Sequence, residues 1–197
     1  EDPRTRYYFF RKMDDAAGQD VTWYGCHYSV GYDPATIPSH YVAAGVPYCV
    51  ASDDGYIGRD HLNDEGIPPD GQFRTSYGLY PFGGDFDADD FVDTRTRGVL
   101  GAKGEGIAPL ILSSYVDFMR AEAALTLGTG EDARQLMIDG INASLDKVES
   151  FESKVSAKMA SDKTIKGGTV VNIQDYYGMS ATDKTDYVDA VTAVYDT

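Results

Sequence analysis

Cysteine is nearly absent from this chain. Cys26 and Cys49 are the whole complement of 197 residues, which excludes a disulfide-dense scaffold. The pair closes one modest loop as a disulfide, adding about 3 kcal/mol, or stands as two separate thiols. Histidine is almost as scarce. Cys26, His27, His40, Cys49 and His61 are metal-type ligands, but no C-x-x-C or H-x-x-x-H spacing links them, which excludes the usual zinc sites. Apolar runs stay well short of the ~18 residues that span a bilayer. Basic residues are few, 17 against 32 acidic ones, and the net charge of −15 repels a phosphate backbone. Nucleic acid is therefore no expected partner. The opening EDPRTR is not a secretory signal and carries no initiator Met, so it reads as the start of a mature chain or an excised piece.

What is present falls into two textures within one expected domain, 1–197. Residues 1–106 hold 15 of the 21 glycines, 7 of the 8 prolines and 10 of the 15 tyrosines, with the lone Trp23. Long regular elements do not form in such a stretch, while its aromatics argue against disorder. The expectation is an irregular aromatic loop region with short helices, a small sheet fragment and a strand through Arg6 to Arg11. Residues 107–197 read as helical.

The clearest signal is SSYVDFMRAEAALTLGTGEDARQLMIDGINASLDKV, residues 113–148. Val116, Met119, Ala123 and Leu127 recur three or four apart, widened by Phe118 and Leu125. Ser114 and Asp117 have capping-box spacing, Gly128 offers positive φ at a helix end, and Thr129 and Asp132 repeat the cap. Ala133, Met137, Ile141, Leu145 and Val148 form the second stripe. Gly140 inside it costs about 1 kcal/mol relative to Ala, a cost that close approach of a neighbouring helix would offset. The prediction is an antiparallel helical hairpin. A third helix is expected from Ser180 with Asp183 as capping partner, striped by Tyr187, Val188, Val191, Val194 and Tyr195. That pattern still runs at Thr197, without a cap, and reads as truncated.

Candidate chemistry is sparse. Asp85, Asp87, Asp89, Asp90 and Asp93 alternate as calcium ligands can, with Asp85, Asp87 and Asp89 the candidate metal residues and a solvated acidic loop the alternative. The run is no EF-hand, since the glycine position holds Asp90 and the glutamate position Thr96. The same carboxylates are the candidate pair for a glycosidase. Arg59-Asp60-His61 lacks any accompanying nucleophile motif, and GAKGEG (101–106) lacks the Gly-Lys-Ser/Thr of a phosphate loop. Asn142-Ala143-Ser144 matches a glycosylation sequon inside a predicted helix. Exposed aromatic rings offer sugars a flat apolar face with a polar edge; Trp23, Tyr24, Tyr28 and Tyr56 are the candidates, against the alternative that such rings fill the core.

The segments GRDHLNDEGIPPDGQFRTSYGLYPFGGDFD (58–87), GIAPLILSSYVDFMRAEAAL (106–125) and GINASLDKV (140–148) resemble the SusD/RagB family, in its SusD-like type 2 branch. DPRTRYYFF (2–10) is similar to a mid-protein segment of those proteins, and DYVDAVTAVYD (186–196) to a helix preceding their last conserved helices. The resemblance implies a fragment of a mainly α protein, an α-α superhelix with tetratricopeptide-like helix pairs, long irregular loops and minor β. It further implies a lipoprotein held by a lipid anchor outside this chain on the outer-membrane surface of Bacteroidota. Such a protein binds an oligosaccharide or other nutrient for a SusC-like TonB-dependent transporter and performs no catalysis. Family ligand residues vary, so none is carried over. The readings from other classes are a secreted carbohydrate-active hydrolase using Asp85–Asp93 and a protein-binding helical scaffold.

Overall fold

The computed structural model describes residues 2–11, 39–44, 56, 75–89, 102, 105–165 and 167–197. Helix dominates them. Near the start lie α1 (Thr5–Tyr8), β1 (Phe9–Phe10), α2 (Ser39–Ala44) and β2 (Ser76–Tyr77). The hairpin follows as α3 (Ser113–Leu127) and α4 (Ala133–Glu149), extended by a 3-10 turn over Ser150–Val155 and by α5 (Ser156–Met159). Then come β3 (Asp162–Thr164), β4 (Val170–Asn172), α6 (Ile173–Tyr177) and α7 (Ala181–Tyr195). β1 and β2 pair antiparallel with Phe9 opposite Tyr77, and β3 and β4 pair with Lys163 opposite Val171.

The strand expected from Arg6 to Arg11 shrinks to Phe9–Phe10, and the residues before it wind into a helical turn. Asp2 drives that turn. Its side chain accepts from the Arg4 N–H at 3.0 Å, and its carbonyl accepts from the Thr5 N–H and hydroxyl at 3.2 and 2.8 Å. Local bonds of this kind compete with a ladder.

The helical hairpin forms as expected, and Gly128 ends α3 in the left-handed region at φ 66°. Its caps differ from the sequence reading. α3 starts after Leu112 with no side-chain cap, and Ser114 lies buried within the helix. At α4 the cap is Asp132 rather than Thr129, accepting from the Gln135 N–H at 3.0 Å. A carboxylate at this position also faces the positive end of the helix dipole.

The larger correction concerns which side of α3 packs. Most of its apolar stripe faces outward, with Met119 55% and Leu127 78% exposed and Val116 exposed beside them. Towards α4 the helix presents Ala121, which joins Ala133 and Leu136 in a minor cluster, and Phe118, whose ring sits against Gly140. Small side chains let two helices approach closely. Periodicity reports that a stripe exists but not whether a partner covers it.

α4 behaves as read. Ile141, Leu145 and Val148 are buried, and Met137 is half-buried against the same core. Tyr7, Leu79, Tyr80 and Phe86 from the Gly-rich half meet Leu145, Phe151, Met159, Ile173 and Tyr177 from the helical half in one cluster. Tyr7 meets Phe86 edge to face at 4.9 Å, and Tyr80 meets Phe151 at 4.9 Å. Full burial of such side chains contributes about 1.5–3 kcal/mol each. The textural boundary at residue 106 is therefore not a boundary in the core. At the other end, α7 has the expected capping box of Ser180 and Asp183. It closes at Tyr195 with Asp196 as C-cap, and Asp196 pairs with Arg134 at 2.9 Å.

Candidate functional site

Three segments converge on a shallow groove of about 340 Å³, near the lower end for small-ligand sites. α7 supplies one wall. Asp183, Asp186, Tyr187 and Ala190 share a helical face because they lie three, four and seven residues apart. The end of α6 supplies Tyr176 and Tyr177, and the first turn of the chain supplies Asp2, Thr5 and Arg6.

Local chemistry explains each position. Asn172 caps α6 by accepting from the Gln174 N–H at 3.1 Å, and the helix stops at Gly178. That short turn sets Tyr177 into the core and leaves Tyr176 outside. The two rings meet edge to face at 4.8 Å, and Tyr176 keeps 56% of its surface in solvent. The Tyr177 hydroxyl donates to Asp89 at 2.7 Å, and the Arg6 guanidinium lies 4.8 Å from the centre of the Tyr177 ring. Burial, then the hydrogen bond and charge of Asp89, push the Tyr177 pKa well above the ordinary tyrosine range. Tyr177 therefore stays a neutral donor.

The charges differ in how they are held. Asp2 takes bonds from Arg4 at 2.6 and 2.9 Å; burial opposes its charge, but the Arg4 bonds prevail and hold its pKa below the ordinary value. Asp183 accepts from the Ser180 hydroxyl and N–H at 2.6 and 2.9 Å, and these bonds lower its pKa as well. Arg6 lies 3.7 Å from Asp89 and donates to the Asp87 carbonyl at 3.4 Å. Asp186 is exposed and has no hydrogen bond or ion pair with any described residue.

The candidate metal residues each lie against a cationic side chain. Asp85 accepts from Lys158 at 2.7 Å. Asp87, fully buried, accepts from Arg11 Nε and Nη2 at 2.7 and 3.0 Å. Asp89 adopts φ 58°, a conformation Asp tolerates better than most residues, and accepts from Arg11 and Tyr177. Among the described residues no group of three or more His, Cys, Asp or Glu side chains is arranged to hold a metal ion. Through Arg6 and Tyr177 this ion-pair network instead supports the back of the groove.

Of the candidate ligand-binding aromatics, Trp23, Tyr24 and Tyr28 lie outside the described residues, as do Cys26 and Cys49. Tyr56 is half-buried. Arg11 stacks over its ring at 4.9 Å, and Phe9 meets it edge to face at 6.2 Å. Its hydroxyl has no hydrogen-bond partner among the described residues, and burial followed by the charge of Asp87 raises its pKa strongly. The structure thus brings Tyr56 to Arg11 and Phe9, beside the Asp87 network, and not among the residues that line the groove.

Sequence reasoning passed over the groove itself. The available signal was the Tyr176-Tyr177 pair held between an Asn cap and Gly178, with Asp183, Asp186 and Tyr187 spaced on one helix face. No described helix is long and apolar enough to cross a membrane. No known protein family matches the chain, and no curated protein or solved structure does so.

Proposed function

We propose that this chain is the ligand-capturing part of a SusD-like nutrient-binding lipoprotein, which holds an oligosaccharide for a SusC-like TonB-dependent transporter at the outer-membrane surface and breaks no bond. In this reading the α3–α4 hairpin is one tetratricopeptide-like pair of an α-α superhelix, and the lipid anchor lies outside the chain. The segments at 58–87, 106–125 and 140–148 support it by their resemblance. The observation that carries it is the groove, lined by both the exposed Tyr176 ring and Asp186, a carboxylate with no partner among the described residues. An exposed ring that shares a groove with a carboxylate acceptor suits the apolar face and hydroxyl edge of a sugar. Asp85, Asp87 and Asp89 are each engaged by a cation, which favours binding over hydrolysis by those residues.

Titration calorimetry with neutral oligosaccharides tests the reading. Binding without turnover is expected, with a loss of about tenfold for Tyr176→Ala, equivalent to ~1.4 kcal/mol. Glycan cleavage abolished by Asp87→Asn would overturn it in favour of the hydrolase. The outward stripe of α3 favours a second reading, a helical scaffold that binds another protein; absence of binding to any glycan would leave that one standing.

A further inference from the structure

We infer that the groove prefers oligosaccharides bearing free ammonium groups, the N-unsubstituted amino sugars, over their N-acetylated or acidic counterparts. The inference rests on the glycan-capture reading and adds a charge class to it. Four charged side chains face the groove: Asp2, Asp183, Asp186 and Arg6. Three are already occupied. Asp2 is held by Arg4, Asp183 by Ser180, and Arg6 by Asp89 and the Asp87 carbonyl. The remaining charge is the carboxylate of Asp186, one turn along α7 from Asp183. Among the described residues that carboxylate has no cationic partner, and the same groove holds the exposed Tyr176 ring, whose face attracts cations, whereas the Tyr177 and Tyr187 rings already carry Arg6 and Arg4. A sugar amine in its ammonium form satisfies both, donating to Asp186 while its ring lies against Tyr176. An acetamido group removes the charge, and a uronate sets a second carboxylate against the first. The chain's net charge of −15 acts in the same direction at longer range.

The test compares a glucosamine tetramer, its N-acetylated counterpart and a galacturonate tetramer by calorimetry on the full chain, in mildly acidic buffer that keeps the amine protonated. The expected order is glucosamine, then acetylated, then acidic, with about tenfold between the first two and a smaller gap at high salt. Asp186→Asn should abolish the difference between the first two. Asp189→Asn, which changes an exposed carboxylate of α7 outside the groove, should preserve it. Equal binding of all three, or a preference that survives Asp186→Asn, overturns the inference and leaves glycan capture intact. Absence of binding to any of them overturns both.

Discussion

The Phe118 ring lies directly over Gly140, so close that a Cβ at that position would sit 3.0 Å from ring carbon Cε1. The glycine read in the sequence as a weak point of α4 is the seat of an aromatic side chain from α3. A double-mutant cycle should register the contact. In a Phe118→Ala background, Gly140→Ala should stabilise the fold by about 1 kcal/mol, the intrinsic helix gain of Ala over Gly. With Phe118 present the ring must shift, and that gain should vanish or reverse in urea denaturation. Equal gains in both backgrounds would show that the ring moves aside at no cost.

Asp87 and Arg11 form the most deeply buried ion pair among the described residues, with Asp87 0% exposed. Asp87→Ala leaves the guanidinium buried without its main partner. Such a deletion costs about 3–5 kcal/mol, which thermal or urea unfolding would detect. A loss below about 1 kcal/mol would mean that the other contacts of Arg11, Asp89 among them, hold its charge.

The two helices of the hairpin should respond oppositely to substitution. Met119→Gln and Leu127→Gln lie on the outward stripe and should change stability by no more than about 0.5 kcal/mol each. Leu145→Ala, at a fully buried site of α4, should cost about 2–5 kcal/mol. A large loss at Met119 would show that this stripe is covered in solution. Reduced binding of a hydrophobic dye by the glutamine variants would support its exposure.

Alkaline pH should open the core. Burial first, and then the bond to Glu152, raise the Tyr7 pKa far above its ordinary 10.0. Tyr177 is raised likewise, and Tyr80 is pushed up to about 12 by burial and the neighbouring Tyr8. A raised folded-state value means that the folded protein keeps a proton the unfolded chain releases. The stability these groups contribute is complete below pH 10 and declines as pH climbs through the folded values. Absorbance titration should show two tyrosine populations, the later one ionising together with loss of helical circular dichroism. A single step near pH 10 with the helices intact would contradict this.

How far the sequence speaks depends on the range of the interaction. Apolar spacing, the turn at Gly128 and the Ser180–Asp183 cap were legible because each is settled within about one helical turn. The choice of Asp132 over Thr129 as cap was not, since both lie within the same short turn and only the backbone path selects one. The acidic run shows the same limit at longer range. Alternating aspartates are compatible with a cation site or a solvated loop, and Arg11, Lys158 and Tyr177 decide their use from distant places in the chain.

By itself the sequence determined the three long helices, the turn at Gly128 and the Ser180–Asp183 cap, and a net negative charge, because propensity, periodicity and charge are properties of neighbouring residues. Tertiary structure decided which side of α3 is covered, why Gly140 is small, and that an exposed tyrosine shares a groove with a carboxylate that has no partner among the described residues. Those outcomes depend on how separate elements, ten to more than a hundred residues apart in the chain, are brought together. Arg6 and Tyr177 reach the same groove only because the core around Tyr7, Phe86 and Ile173 draws the first turn of the chain against its last helices.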